Sequence, residues 1–232
     1  MNENIDDEKK ELRFVLVCSS LLTVLPWIVH ILDVVFELRL KQYGLQPLEV
    51  RGLPGILTMP FLHGGWEHLI SNTPALFALF CGLFLFHKRG AWGILFYLYL
   101  ISGLLTWLMG RNSTHIGASG LVYAMASFHF VSGVIKKETR QRAFALLVAF
   151  LYGGIIWAFF PSLYEGTSIS WEGHLSGVMT GIIIAFYYRH EGLQPEPEPK
   201  EEDDEEDEED EENEEEDEKE KKENDHSEWK IL

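Results

Sequence analysis

The spacing of the apolar stretches constrains this chain more than any other feature. They run over residues 14–36, 67–86, 91–109, 117–135, 143–160 and 172–188. A helix needs roughly 20 residues to cross a hydrocarbon core of about 30 Å, and soluble helices would carry a polar face that these stretches mostly lack. The pattern therefore predicts an all-α polytopic membrane protein with six transmembrane helices. No small-x-small cleavage site follows the first stretch, so we expect that helix to be retained.

Charge divides the chain into two parts. The formal net charge is -17, but residues 191–232 hold 24 Asp and Glu against 5 Lys and Arg, which leaves 12 acidic and 14 basic residues in 1–190. Such an acidic segment repels itself and cannot bury a core. We therefore expect a short cytoplasmic N-terminus over 1–13, a six-helix domain over 14–190 and a disordered acidic cytoplasmic tail over 191–232.

The basic residues between the stretches predict the orientation. If the N-terminus is cytoplasmic, ten Lys and Arg lie on the cytoplasmic side and four on the other. The ten are Lys9, Lys10, Arg13, Lys88, Arg89, Lys136, Lys137, Arg140, Arg142 and Arg189; the four are Arg39, Lys41, Arg51 and Arg111. Cytoplasmic loops carry the excess of positive charge, so we expect both termini in the cytoplasm.

Polar side chains inside apolar stretches are costly and usually face the interior of a helix bundle. Under this orientation the second, fourth and sixth stretches all run inward from the outer surface. His68, Asn72, Ser119 and His174 then lie within the first turn or two of their helices. We expect these four side chains at a similar depth, where they would form one site.

A serine and a histidine at one depth suggest nucleophilic chemistry. Gly173, Gly177 and Gly181 form a small-xxx-small ridge that would let the sixth helix approach the fourth, where Gly117 and Gly120 offer a flat patch. That approach could bring His174 within hydrogen-bond distance of Ser119, and a serine hydroxyl becomes nucleophilic when a base accepts its proton.

No Asp or Glu lies at a suitable depth to orient the histidine, and Glu172 is expected at the membrane surface. Tyr123 could instead stack on the imidazole, which favours a Ser–His dyad over a triad. His68 and Asn72 are suited to stabilise an oxyanion together with the Ser119 amide, and Gly117 leaves room for a substrate carbonyl.

Other interpretations of these residues remain open. Ser119 could be a packing residue in a glycine-rich helix start, and His68 and Asn72 could form a structural network between helices. A transporter or channel would predict inverted repeats or charged residues at the bilayer midplane, and neither is evident. His129 is expected in the core with no visible partner, and His30 and Asp33 near the membrane interface.

Three motifs together carry a resemblance to a known family. The segments HGGWEHLISN, GASGLVYAMASF and GHLSGVMTG open the second, fourth and sixth stretches in that order, and their combination resembles the rhomboid intramembrane serine proteases. The resemblance covers residues 14–189. The sequence departs from the family in the loop after the first stretch. Many members carry a Trp-Arg pair there, whereas no tryptophan precedes Arg51.

The resemblance implies a role for each matching residue. Ser119 would be the nucleophile and His174 the general base. His68 and Asn72 would build the oxyanion hole, Gly117 would line it, and Tyr123 would pack on His174. His63 would be structural, and Gly177 and Gly181 would be close-packing positions.

The implied function is that of a serine endopeptidase which hydrolyses peptide bonds in or near transmembrane helices of membrane-protein substrates. The alternative is a non-catalytic rhomboid-like protein that binds or escorts such helices. Six spans with nothing added favour the prokaryotic form, and hence a bacterial inner membrane. We expect the lipid bilayer and helical substrates as partners, no nucleic acid, no cofactor and no metal; the sequence names no partner for the tail.

Overall fold

The computed structural model describes residues 2–151 and 170–190. These residues form helices joined by short links, and a single isolated bridge is the only β pairing among them. The helices are α1 (Asn2–Val35), α2 (Gly55–Thr58), α3 (Trp66–His87), α4 (Ala91–Met109), α5 (Ser119–Ile135), α6 (Thr139–Leu151) and α7 (Trp171–Tyr187). The prediction of an all-α polytopic membrane protein is confirmed.

The long helices follow the apolar stretches. Asp6–Val35, Trp66–His87 and Ala91–Met109 are long and apolar enough to cross a membrane, and Ser119–Ile135 is an apolar helix of shorter length. Helix α1 begins at Asn2, so the charged residues before Phe14 continue the same helix. Residues 152–160 of the fifth stretch and the tail over 191–232 lie outside the described residues, so the six-span count and the domain boundaries stay predictions.

Apolar side chains occupy both the interior and the outer face of the helices. Leu79, Leu83 and Phe84 of α3 pack with Ile94 and Leu98 of α4 in a buried cluster. Many other large apolar side chains are exposed, among them Leu21, Phe96 and Phe150. An exposed apolar surface of this extent marks an interaction surface, as expected for helices that face lipid.

The link between α1 and α3 is tied to the rest of the fold by hydrogen bonds. It contains 3-10 turns at Leu40–Tyr43, Val50–Gly52 and Met59–Phe61 besides α2. Leu45 and His115 exchange two backbone hydrogen bonds, at 3.0 and 2.8 Å. This exchange holds the link against the segment that precedes α5.

Helices α5 and α7 run parallel with their backbones in close contact. A Cβ on Gly177 would collide with the carbonyl oxygen of Gly120, and a Cβ on Gly181 would collide with the carbonyl oxygen of Ala124. Ser127 Oγ donates a hydrogen bond to the Val178 carbonyl oxygen across this contact, at 3.1 Å. The ridge of small residues therefore serves the helix approach that the sequence predicts.

Gly117 does not belong to this contact, contrary to the prediction that it shares a flat patch with Gly120. It precedes α5 with φ +108°, and a Cβ there would meet the His68 ring at 2.6 Å. Glycine is favoured at Gly117 because its backbone is in the left-handed region and the imidazole fills the space of a side chain. Gly117 thus joins the starts of α3 and α5.

We expect Gly177→Ala to separate α5 from α7, because the added methyl meets backbone atoms that cannot rotate away. The free energy of unfolding should fall by roughly 1–3 kcal/mol, as for overpacked cores. Thermal unfolding in detergent measures this change.

The matched control is Gly93→Ala in α4, where the added methyl meets only the Tyr188 hydroxyl, at 3.2 Å. Equal stability losses in the two variants would contradict the assignment of Gly177 to a backbone contact.

Candidate active site

The first turns of α3, α5 and α7 meet at one end of the bundle. Ser119 is the first residue of α5 and is half-buried, whereas His174 lies in the first turn of α7 with 8% of its surface exposed. The His174 Nε2 and Ser119 Oγ atoms are 3.0 Å apart, a hydrogen-bond distance. The packing of α5 on α7 therefore brings together two residues that are far apart in sequence.

Tyr123 lies one turn below Ser119 and faces the same histidine. Its ring stacks on the His174 imidazole with centroids 4.2 Å apart and an interplanar angle of 20°. Tyr123 is itself buried, so its packed ring restricts the rotation of the imidazole. The stacking that the sequence suggested for this pair is present.

A second polar group lies at the start of α3. Asn72 is buried, and its Nδ2 lies 3.3 Å from His63 Nε2, while His63 Nδ1 lies 3.3 Å from the Phe61 carbonyl oxygen. A carbonyl only accepts, so Nδ1 carries the proton and Nε2 accepts from the Asn72 amide. This arrangement fixes the Asn72 side chain and leaves its second N–H available to another acceptor.

His68 completes this group. Its ring centroid is 5.0 Å from that of His63, and the ring lies against Gly117. The Gly117 N–H donates to the Met59 carbonyl oxygen at 2.9 Å. Hence His68 faces the segment that enters α5 at Ser119.

The N-terminus of α5 offers backbone donors. No side chain caps this helix, whose N-cap residue is Ala118. The first amides of a helix have no partner within the helix, and the helix dipole makes this end favourable for negative charge. The Ser119 N–H is one of these amides.

Burial keeps His63 neutral. Its pKa falls from an ordinary 6.5 to about 4, mainly because desolvation disfavours the imidazolium, with a smaller contribution from the neighbouring His68. A protonated His63 would direct a donor at the Asn72 amide N–H. The low pKa of His63 therefore preserves the hydrogen bond that orients Asn72.

Three contacts or burials near the site were not foreseen from the sequence. Glu172, expected at the membrane surface, is 4% exposed, and its Oε1 lies 3.5 Å from Arg111 Nε. His115 and Ser170 form a hydrogen bond of 2.6 Å between their side chains. Ser170 immediately precedes an apolar run, which is the usual position of an N-cap serine and was a usable signal; His115 had no such signal.

Two other histidines make contacts that the sequence did not reveal, and His129 lies in the core as expected. His129 has partners: its Nε2 lies 3.3 Å from the Leu79 carbonyl oxygen, and Gln141 approaches its Nδ1 at 3.3 Å. His30 is buried, at 4% exposure, and its ring meets Trp66 edge-on. Both contacts join different helices, which a sequence pattern within one helix does not reveal.

Comparison with known proteins agrees with this architecture. The Rhomboid domain family model matches residues 51–191. An uncharacterized protein of Mycobacterium tuberculosis is 34% identical over 190 residues, which cover 76% of this chain and 77% of that protein. Rhomboid-related protein 1 of Caenorhabditis elegans is 30% identical over 54% of this chain and 37% of its own length. Rhomboid-like protein 11, chloroplastic, of Arabidopsis thaliana is 29% identical over 56% of this chain and 50% of its own length.

The fold and the grouped residues define an integral membrane protein with a polar site at one end of its helices. The chain belongs to the rhomboid family.

The pKa of His63 generates a prediction about stability. Between pH 6.5 and pH 4 the unfolded chain binds the proton that native His63 excludes, so the free energy of unfolding should fall as the pH drops through this window. His63→Gln keeps an acceptor for Asn72 but does not titrate. We therefore expect its stability to depend less on pH than that of the wild type, as measured by thermal unfolding from pH 7.5 to 4.5. Parallel curves for the two proteins would show that His63 contributes nothing to acid sensitivity.

Proposed function

We propose that this protein is an intramembrane serine endopeptidase that uses Ser119 and His174 as a catalytic dyad. The observation that carries this proposal is the 3.0 Å contact between Ser119 Oγ and His174 Nε2 at the start of α5. In the reaction, Nε2 accepts the hydroxyl proton as Oγ attacks the substrate carbonyl, and the imidazolium then gives this proton to the leaving amine. Stacked Tyr123 keeps the imidazole in place during both transfers.

The negative charge that develops on the substrate oxygen requires preorganised donors. The Ser119 amide, the second N–H of Asn72 and the His68 ring are the donors that we propose for this oxyanion. The arrangement of His63 supports this role, since it occupies one Asn72 N–H and orients the other. Gly117, with no side chain, leaves the space that the carbonyl enters.

Helix length supports a site below the membrane surface. Helices α5 and α7 each have 17 residues, or about 26 Å at 1.5 Å per residue. This is less than the roughly 30 Å of a hydrocarbon core. If their C-terminal ends reach one surface, the site at their N-terminal ends lies inside the other surface.

We propose single-span membrane proteins as the substrates. A helix satisfies its own backbone hydrogen bonds in lipid, so the substrate must unwind before a peptide bond becomes accessible to Ser119. Small residues at the scissile bond and helix-weakening residues nearby would favour cleavage. With six spans and a cytoplasmic N-terminus in a bacterial inner membrane, cleavage would occur near the outer surface.

The proposal predicts that Ser119→Ala and His174→Ala each lower the rate of cleavage of a helical membrane substrate by roughly 10³-fold or more, since the two groups act as a unit. Fluorophosphonate should label the wild type and not Ser119→Ala. The measurement uses purified full-length protein in detergent or liposomes. A wild type that neither cleaves nor labels would leave the rhomboid-like helix binder as the better description, and a Ser119→Ala variant that still cleaves and labels would show that Ser119 is not the nucleophile.

We expect Asn72→Ala to lower kcat by roughly 10²–10³-fold, the usual effect of losing one oxyanion donor, with a small effect on KM. Asn72→Asp keeps the shape but places a carboxylate beside the oxyanion, so its kcat should fall at least as far. Ser71→Ala, at the exposed neighbouring position, is the control and should retain activity. A change confined to KM would place Asn72 in substrate binding instead.

A further inference from the structure

The nucleophile and the base that we propose lie on separate elements, and their mutual hydrogen bond is too weak to hold those elements together. A neutral hydrogen bond contributes little net stability, because it replaces hydrogen bonds to other partners. The separation of 3.0 Å between Ser119 and His174 therefore depends on contacts around the pair. The close packing of α5 on α7 is one such set of contacts, and a second set lies between the segment 110–118, which leads into α5, and the start of α7.

Resting on the proposed function, we infer that His115 is a positioning residue for the dyad, which acts through Ser170 on the first turn of α7. The His115 side chain is buried, with 2% exposed. Its backbone exchanges two hydrogen bonds with Leu45, and its Nδ1 lies 2.6 Å from Ser170 Oγ. His115 thus connects the link after α1, the segment before Ser119 and the start of α7.

The hydrogen-bond partners of His115 determine the direction of each bond. Its Nε2 lies 3.0 Å from the Arg111 carbonyl oxygen and 3.3 Å from Ser113 Oγ; the carbonyl only accepts, so the tautomer that satisfies it carries the proton on Nε2. Nδ1 is then an acceptor, and the Ser170 hydroxyl donates to it. Ser170 Oγ in turn accepts from the Gly173 N–H at 3.2 Å.

This chain of hydrogen bonds ends one residue before the proposed base. Ser170 is the N-cap of α7, and loss of a serine cap destabilises the first turn of a helix. The first turn of α7 holds His174, so fraying of that turn moves the imidazole. His115 fixes the rotamer in which the Ser170 oxygen caps the helix.

A second contact joins the same two segments. The Arg111 Nε atom lies 3.5 Å from Glu172 Oε1, and the Glu172 side chain is almost fully buried. A carboxylate in the first turn of a helix is also favoured by the helix dipole. Arg111 thus contributes both a backbone acceptor to His115 and a charge to α7. Two contacts, His115–Ser170 and Arg111–Glu172, therefore join the segment before α5 to the start of α7.

The matched test is the pair Ser170→Thr and Ser170→Val. Threonine keeps the hydroxyl that caps α7 and donates to His115, and valine replaces that hydroxyl with a methyl of similar size. We expect Ser170→Thr to retain wild-type kcat within about twofold, and Ser170→Val to lose about tenfold, or ~1.4 kcal/mol in the activation barrier. KM should change little, because neither Ser170 nor His115 is among the groups that we propose at the reaction centre.

The rates should be expressed per active site, titrated with fluorophosphonate, at a temperature well below the unfolding midpoint of each variant. A purely structural role would lower the fraction of titratable sites and leave kcat per site unchanged. A positioning role lowers kcat per site and slows labelling by a similar factor. This comparison separates the two roles even where a variant is less stable.

His115→Phe tests the other end of the contact, and the double variant with Ser170→Val tests the coupling between them. Because the two residues act as one unit, we expect the double variant to lose no more than the larger single loss. Should His115→Phe fail to fold, the Ser170 pair still decides the inference. His190→Phe, exposed beyond the far end of α7, is the control and should behave as wild type.

The outcomes distinguish this inference from the function on which it rests. An inactive, unlabelled wild type would overturn the proposed function. An active wild type with equal kcat per site in Ser170→Thr and Ser170→Val would overturn the role of His115 and leave the dyad standing. Additive losses in the double variant would show that His115 and Ser170 act separately, and would also overturn it.

Discussion

The approach of α5 and α7 to backbone contact is the constraint on which the site depends. Gly120 faces Gly173 and Gly177 across this contact, and Gly181 lies against the α5 backbone one turn further on. In lipid there is little hydrophobic drive between helices, so close van der Waals packing and hydrogen bonds across helices hold them together. The Ser127–Val178 hydrogen bond is of this kind. The geometry of the dyad follows from where these two backbones meet.

The helix contact alone does not align the two proposed catalytic groups. His174 can rotate about its own side-chain bonds, and Tyr123 limits that rotation by stacking on the ring. The start of α7 can fray, and Ser170 limits fraying through its hydrogen bonds with Gly173 and His115. An aromatic contact and a helix cap therefore share the orientation of His174. The neighbouring carboxylate, Glu172, pairs with Arg111 and not with the histidine.

At the start of α3, one side chain is placed to act on the substrate and another orients it. His63 is buried and neutral, and its two ring nitrogens bond a backbone carbonyl and the Asn72 amide. Asn72 can therefore present a donor in a fixed direction, which is the requirement for stabilising charge that appears only during a reaction. His174 and Asn72 thus each have a partner that orients them: Tyr123 on a different helix stacks on His174, and His63 in the segment before α3 bonds Asn72.

The sequence by itself determined the all-α membrane fold, the family and the residues that gather at one end of the bundle. These follow from local patterns: apolar length reports a spanning helix, and a histidine or serine in the first turn of such a helix is costly enough to signal a shared site. Only the tertiary structure decided that Gly117 serves His68 rather than the helix contact, that Glu172 is buried, and that His115 reaches Ser170. Those contacts join residues from different elements, and their distances depend on how helices and links pack, which no periodicity within a single segment encodes.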